Sequence, residues 1–337
     1  MRAVSKNGDM SPAVPFSWSP IGWFQIGYAS EFPVGTTRPL RYFGEDLVVY
    51  RGDRGDLHVL SAHCPHLGAH IGHGGLVVGD CVVCPYHGWT WSAEGVNVEI
   101  PYQDKPNKSK RLQAWPVAEQ YGSVFVWNDP DGGSPTWEMP DIFKSFPQFE
   151  TNPDSYYEPF VMTTGPEPVH PQLVAENGPD SVHFQYVHHA TVTPMALDWN
   201  PDGPIWKFVT GWPDARSIDP SAMALRIHSW LFGLGGAISA FEGQSRHRLT
   251  FTVTPIEEGK SDLRYTIWWP RTHGDISPIA PPETLERMKK EYLGTMEEDL
   301  EIWRYQRYIA NPALAKQDAK PYKALRSWSK QFYAVTA

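Results

Sequence analysis

Two short strings in this chain carry side chains that bind soft metals. Cys64-Pro65-His66 and Cys84-Pro85-Tyr86-His87 each supply one thiolate and one imidazole, with seventeen residues between His66 and Cys84. Two thiolates and two imidazoles suit a two-iron, two-sulfide cluster, the cysteine pair on one iron and the histidine pair on the other. Exchanging two thiolates for neutral imidazoles makes the cluster less negative and raises its potential, which fits a carrier of single electrons. A tetrahedral zinc site of two cysteines and two histidines is the rival use of the same four ligands.

A second set lies downstream, in the stretch from Asn177 to His189. On a helix Asp180 and His183 share a face, and Pro179 suits the first turn of such a helix. His183 and His188 are five apart, about 140° around an ideal helix. Both reach one metal only if the helix is distorted or the metal sits off its axis, and His189 competes for the second place. A third ligand comes from elsewhere. Glu283 to Ala310 reads as a long helix, preceded by Pro281-Pro282 and ended by Asn311-Pro312. Its apolar stripe is Met288, Tyr292, Met296 and Trp303, and Asp299 falls in that stripe while Glu297, Glu298 and Glu301 do not. A carboxylate buried there needs a cation or a metal. The plain reading is an ion pair with Arg304 or Arg307. The chemical reading is a two-histidine, one-carboxylate triad that leaves positions open on Fe(II) for O2 and water. Iron is preferred to zinc because an electron-donor cluster serves no purpose beside a redox-silent metal.

Platforms for these ligands are visible as strands and turns. Leu47–Tyr50 and Leu57–Leu60 flank Gly52-Asp53-Arg54-Gly55, and Leu76–Val78 and Cys81–Val83 flank Gly79-Asp80, two hairpin signals. The second hairpin runs straight into Cys84. Gly68 and Gly88 follow the two ligand strings, where backbone must approach the cluster closely. Downstream, Met223–Phe232, Ser245–Thr254 and Asp262–Trp269 read as strands, the last two around the turn Glu258-Gly259. Gly233–Gly243 is rich in glycine and reads as a loop, a candidate roof over a ligand pocket. It lacks the lysine and helix of a phosphate loop.

A chain of 337 residues exceeds what one core usually organises. The expected division is an N-terminal extension over 1–18, a cluster domain over 19–155 with its core at about 35–131, and a mononuclear iron domain over 156–337. A net charge of −9 argues against nucleic acid or an anionic membrane as partner. No run of eighteen apolar residues occurs and no signal-peptide core precedes Trp18, so the expected setting is cytoplasmic with no membrane span. Of three cysteines two are claimed by the cluster, and Cys81 alone forms no further intrachain disulfide. Aromatic residues make up 13%, which suits either a pocket for a bulky apolar ligand or aromatic-rich sheet cores.

The proline after each cysteine and the string Cys84-Pro-Tyr-His-Gly-Trp89 resemble the Rieske signature, which favours iron–sulfur over zinc. With the downstream motif in this order, nearly the whole chain resembles the oxygenase component of Rieske non-haem iron oxygenases. Ile100-Pro101-Tyr102, Arg111–Pro116, Val124–Pro130 and Asp299–Trp303 followed by Asn311-Pro312 are most similar to 3-ketosteroid 9α-hydroxylase oxygenases. Glu176–Asp180 is also similar to sterol 7-desaturases.

The resemblance implies an α+β fold, with an N-terminal all-β Rieske domain and a C-terminal helix-grip catalytic domain of antiparallel sheet and helices. It places Cys64 and Cys84 on one iron of a 2Fe–2S cluster and His66 and His87 on the other. His183, His188 (from the family spacing H-x4-H) and Asp299 would hold the mononuclear Fe(II). Asp180 would bridge the two centres for electron transfer across a subunit boundary, accepting from His183 and from a neighbour's His87 or His66. Asn177 would be a polar neighbour of the iron. A homotrimer follows, since a head-to-tail ring sets each cluster against a neighbour's iron. The implied activity, in steroid and lipid degradation, is hydroxylation of a C–H bond of a steroid-like apolar substrate. It uses O2 and electrons from NADH through a separate flavin and iron–sulfur reductase. Attack on an aromatic ring, O- or N-demethylation and sterol-type desaturation are the alternatives within the chemistry. A pure electron-transfer protein is the alternative outside it.

Overall fold

The computed structural model describes residues 14–334 apart from Pro220 and Gln244. Most of the expected extension over 1–18 therefore lies outside the described residues. The chain packs as two units.

The first unit comprises Ser19–Thr136 with Thr254–Glu258. Its strands are β1 (Gly22–Tyr28), β2 (Thr37–Tyr42), β3 (Glu45–Arg51), β4 (Leu57–Ser61), β5 (Leu76–Val78), β6 (Cys81–Val83), β7 (Thr90–Trp91), β8 (Asn97–Glu99), β9 (Ala114–Trp115), β10 (Val117–Gln120) and β11 (Ser123–Asn128). They form three small antiparallel sheets, ordered β1-β11-β10, β2-β3-β4-β9 and β5-β6-β7-β8. The unbroken apolar run in β3 has a structural cause. Leu47 and Val49 point into one core with Val59 and Val126. Val48 and Tyr50 point into another, with Cys64, Cys84, Trp89 and Trp91. A strand buried on both faces reads as continuous hydrophobics, and here its second face clamps the two ligand strings.

The second unit comprises Trp137–Val253 and Gly259 onward, with the described residues up to Trp18. The boundary expected at 155 therefore falls at 136. The reason is Arg248, fully buried, which donates to the carbonyls of Ile142 (2.8 Å) and Glu150 (2.7 Å). Phe143 packs edge-on against Trp268. The segment after Thr136 is thus tied to the second core.

Seven strands make the sheet of this unit: β12 (Phe160–Glu167), β13 (Met195–Asp202), β14 (Ile205–Pro213), β15 (Met223–Phe232), β16 (Gly236–Gly243), β17 (Arg248–Glu257) and β18 (Lys260–Trp268). Their order is β12-β18-β17-β16-β15-β14-β13. The glycine-rich segment expected as a roofing loop is a turn followed by β16, a central strand paired on both sides. Its alternation of small and apolar residues fits a pleat with close neighbours better than a loop.

Among the described residues four α-helices complete the unit: α1 (Pro171–Glu176), α2 (His183–Tyr186), α3 (Pro282–Trp303) and α4 (Ala319–Ser329). Met288, Tyr292, Met296, Leu300 and Trp303 of α3 pack with Val253, Leu263, Tyr265 and Ile267 of the sheet. Each such side chain contributes about 1.5–3 kcal/mol by leaving water, enough to set the rotation of the helix. α3 stops at Trp303 rather than near Ala310. The next residue, Arg304, is held by a two-pronged pair with Glu167 of β12 at 2.8 and 2.9 Å.

Candidate metal centres

The two cysteine strings fold as near copies. The amide of Cys64 donates to the carbonyl of Ala69 and the amide of Gly68 returns to Cys64. In the second loop Cys84 pairs with the carbonyl of Trp89 and Gly88 with Cys84 in the same way. Gly68 and Gly88 sit at φ 78° and 71°, a left-handed conformation that costs a residue with a Cβ. At Gly88 a Cβ would also meet Pro101 at 2.8 Å. Both cysteines are buried, at 1% and 2% exposure. The rings of His66 and His87 meet edge to face with centroids 4.6 Å apart. His66 is stacked on Trp89, and the indole of Trp89 is fixed by a 2.7 Å bond to the Tyr102 hydroxyl.

These four side chains fit an iron–sulfur cluster. Burial pushes the Cys64 thiol up to about 11, with the neighbouring Cys84 adding to the rise, so two thiolates in this pocket need a cation between them. Nδ1 of His66 is buried without a hydrogen-bond partner, the condition of a nitrogen whose lone pair is reserved for a metal.

The second centre assembles from the second unit. His183, His188 and Asp299 bring one ligand atom each within 4.8 Å of one another. The difficulty of two histidines 140° apart on one helix disappears, because α2 is a single turn that ends at Tyr186 and His188 lies beyond it. His189 is exposed and stands outside the group. Asp180 also lies outside α2, contrary to a shared helical face. Its Oδ1 accepts the amides of Val182 and His183 at 3.1 Å and so starts the turn.

Each histidine is oriented through its Nδ1. His183 Nδ1 is 2.6 Å from the backbone carbonyl of Asp180 and 3.8 Å from its carboxylate, so the ring donates to the carbonyl and not to the expected side chain. His188 Nδ1 donates to Glu298 at 2.8 Å. Each ring then turns its Nε2 away from these partners. His188 Nε2 lies 3.3 Å from Asp299 Oδ1 but out of hydrogen-bond alignment, buried and otherwise unpartnered. Burial works to lower the His188 pKa, and Asp299 and Glu298 outweigh it, so the ring is held above its ordinary value. Asn177 Nδ2 approaches Asp299 Oδ1 at 3.4 Å. The plain reading of Asp299 as a partner of Arg304 or Arg307 does not hold among the described residues: Arg304 pairs with Glu167 and Glu297, and Asp299 lies against His188. Two imidazoles with open Nε2 atoms and a buried carboxylate are a donor set that fits Fe(II).

Asp180 is positioned from a distant element. Its Oδ2 accepts the Tyr322 hydroxyl of α4 at 3.0 Å. Burial would raise its pKa, but the hydrogen bonds from His183 and Tyr322 keep the carboxyl below the usual range. α4 is itself locked by Arg326, which grips buried Glu176 at 2.7 and 2.9 Å. Glu298, Tyr322 and this lock were not found from the sequence. Glu298 sits off the apolar stripe of α3, and only its place next to Asp299 hinted at a role.

The triad opens on a cavity of about 380 Å³, within the range of small-molecule sites. Phe184, Trp212, Leu225, Phe241 and Phe251 line it along with the ligand residues.

Comparison with known proteins agrees with both halves of this picture. Residues 22–119 match the Rieske 2Fe–2S domain family, and residues 126–333 match the 3-ketosteroid 9α-hydroxylase C-terminal domain family. A Rhodococcus rhodochrous protein described as a probable 3-ketosteroid-9-alpha-monooxygenase, oxygenase component, is 30% identical over 339 residues, spanning 93% of this chain and 79% of its own. Cholesterol 7-desaturase of Xenopus laevis is 30% identical over 365 residues, 99% of this chain and 75% of its own. Dicamba monooxygenase with dicamba bound has the same fold at 17% identity, with a TM-score of 0.68 over 94% of this chain and 98% of that one. No helix among the described residues is long and apolar enough to cross a membrane.

Proposed function

The chain belongs to the Rieske oxygenases whose C-terminal domain is of the 3-ketosteroid 9α-hydroxylase type, and from that membership we propose that this oxygenase component hydroxylates an unactivated C–H bond of a steroid-like apolar molecule. The observation that carries the reading is the meeting of His183, His188 and Asp299 at an aromatic-walled cavity. Cys64, Cys84, His66 and His87 would hold the cluster, and the triad would hold the iron. When bound, these groups supply single electrons and the activation of O2.

The protein's own share is positional. The Asp180 carbonyl and the Glu298 carboxylate keep both imidazoles in one tautomer. Asn177 steadies Asp299. Phe184 and Trp212, edge to face at 5.1 Å, help to keep water from the reacting bond. Asp180, charged and held by three donors, is the proposed link between centres, in a head-to-tail homotrimer supplied by a reductase that draws on NADH.

The test is oxygen uptake with a surrogate reductase across steroid, arene and methoxy-compound panels, with product analysis. Steroid-dependent uptake with one oxygen atom gained supports the reading. Uptake with arenes or methoxy compounds alone overturns the substrate class. Desaturation is a second reading, favoured by the likeness to the 7-desaturase over 99% of this chain; a product that has lost two hydrogens and gained no oxygen would establish it.

A further inference from the structure

The sheet wall of the cavity is hydrocarbon along most of its length, with Phe208 on β14, Ile227 and Leu231 on β15, Phe241 on β16 and Phe251 on β17. Ser229 and Ser239 interrupt it. They stand opposite each other in the β15–β16 register and both line the cavity. They are 4% and 7% exposed, and their hydroxyl oxygens are 2.8 Å apart, one hydrogen-bonded to the other. Alanine would fill these positions without burying a polar group, and burying a hydroxyl is unfavourable unless it is paired.

The pairing leaves a remainder. Two hydroxyls carry two protons, and the bond between them uses one. The accepting hydroxyl keeps its own proton, and among the described residues each serine's hydrogen-bond partner is the other. Two other hydroxyls on the cavity are committed elsewhere. Thr295 donates to the carbonyl of Glu291 at 2.9 Å, and Tyr292 pairs with His247. Thr210, on β14, adds a further hydroxyl to the same wall.

Resting on the reading that the cavity takes a large apolar molecule, we propose that Ser229 and Ser239 form a subsite for a ketone or alcohol oxygen on that molecule. The surplus proton donates to the oxygen while the serine–serine bond persists and polarises the donor. The triad is carried by α2, the segment after it and α3; the serines belong to the sheet. An oxygen held on the sheet side therefore orients the molecule against the metal ligands through a contact away from the reacting bond. A compound lacking that oxygen leaves the donor buried and unpaired, so the pair selects by chemistry as well as by shape.

The test measures binding to the anaerobic holoenzyme by calorimetry, using matched ketone and methylene probes: a 3-ketosteroid against its 3-deoxo analogue, and 2-decalone against decalin. The wild type should prefer a ketone by about tenfold, the size of one net hydrogen bond. Replacing both serines by Ala should bring that ratio near one, by weakening the ketone and leaving the methylene compound bound as well as before or more tightly, since no donor is then left unpaired. Ser229→Thr, which keeps a hydroxyl, should retain the preference. Equal weakening of both probes in the alanine variant, or a wild type that does not distinguish them, overturns the subsite. If steroids fail to bind while 2-decalone is preferred over decalin in a serine-dependent way, the steroid reading falls and the subsite stands.

Discussion

The two candidate centres are built in opposite ways. The cluster loops close on themselves, each by hydrogen bonds reaching only four or five positions along the chain, from Cys64 to Gly68 and Ala69 and from Cys84 to Gly88 and Trp89. The triad is a long-range assembly. His188 is oriented by a carboxylate 110 positions away, and Asp180 by a hydroxyl 142 positions away. A locally closed loop keeps its ligand geometry as long as its own turn survives. A site made from separate helices exists only while the core between them holds α3 in register. The two centres are therefore expected to fail separately, and substitutions can show it.

The largest effect is expected at Asp299. Asp299→Ala should lower turnover at least roughly a thousandfold and bring iron from about three to about two per chain, with the cluster absorbance unchanged. Cys84→Ser is the converse, losing the cluster's absorbance and EPR signal while the triad still binds about one iron. Loss of both metals in either variant would end the idea of independent centres.

Asp180→Asn comes next. The amide oxygen can still accept from Val182 and His183, and the amide nitrogen can donate to the Tyr322 oxygen, but the charge is gone. Both metals should stay bound while turnover drops by about a hundredfold, an order-of-magnitude expectation for a residue that acts between centres. Stopped-flow oxidation of the cluster by O2 with substrate present reads this directly, and a wild-type rate would remove Asp180 from the electron path.

Glu298→Gln sharpens the comparison further. It weakens the partner that sets the His188 tautomer, so iron affinity at the triad should fall by about tenfold, as for other carboxylates behind metal-bound histidines. Chelator competition followed by iron analysis measures it, and the cluster should not respond.

The smallest effect concerns pH. Burial holds His247 down to about 3 and His170 to about 4, against about 6.5 in an unfolded chain. Both histidines are in the second unit. The unfolded state then binds more protons below pH 6.5, so this stability is complete above 6.5 and falls as pH drops toward 3 to 4. Between pH 7 and 6 each histidine accounts for roughly 0.7 kcal/mol. His247→Phe should flatten the acid side of a profile of unfolding free energy against pH by that amount, and an unchanged slope would show that His247 is already charged in the fold.

How much was legible follows the same division. The cluster ligands, the strands beside them and the apolar stripe of α3 could be read directly, because each depends on spacing within a short window. Asp299 stood out because a carboxylate in such a stripe needs a reason. Other features were hidden. The length of α2 depends on a cap supplied by Asp180, the end of α3 on Glu167, and the extent of the second unit on the arginine at 248. Glu167 and Arg248 are far in sequence from what they control, and the Asp180 cap, though only three residues from His183, depends on a carboxylate orientation that spacing does not show. The glycine-rich stretch before Gly243 was misread because composition resembles a loop whenever strands pack closely.

By itself the sequence determined which side chains can carry metals, that there are two kinds of centre, and the family to which the chain belongs. Those follow from residue type and local spacing, which survive any arrangement of the rest. The tertiary structure alone decided how His188, which the family spacing favours over His189, reaches His183 past a one-turn helix, that Glu298 and Tyr322 steer the site, and that two serines interrupt the hydrocarbon wall of the cavity. Such choices depend on directions and distances between strands and helices far apart in the chain, and only the packed core sets those.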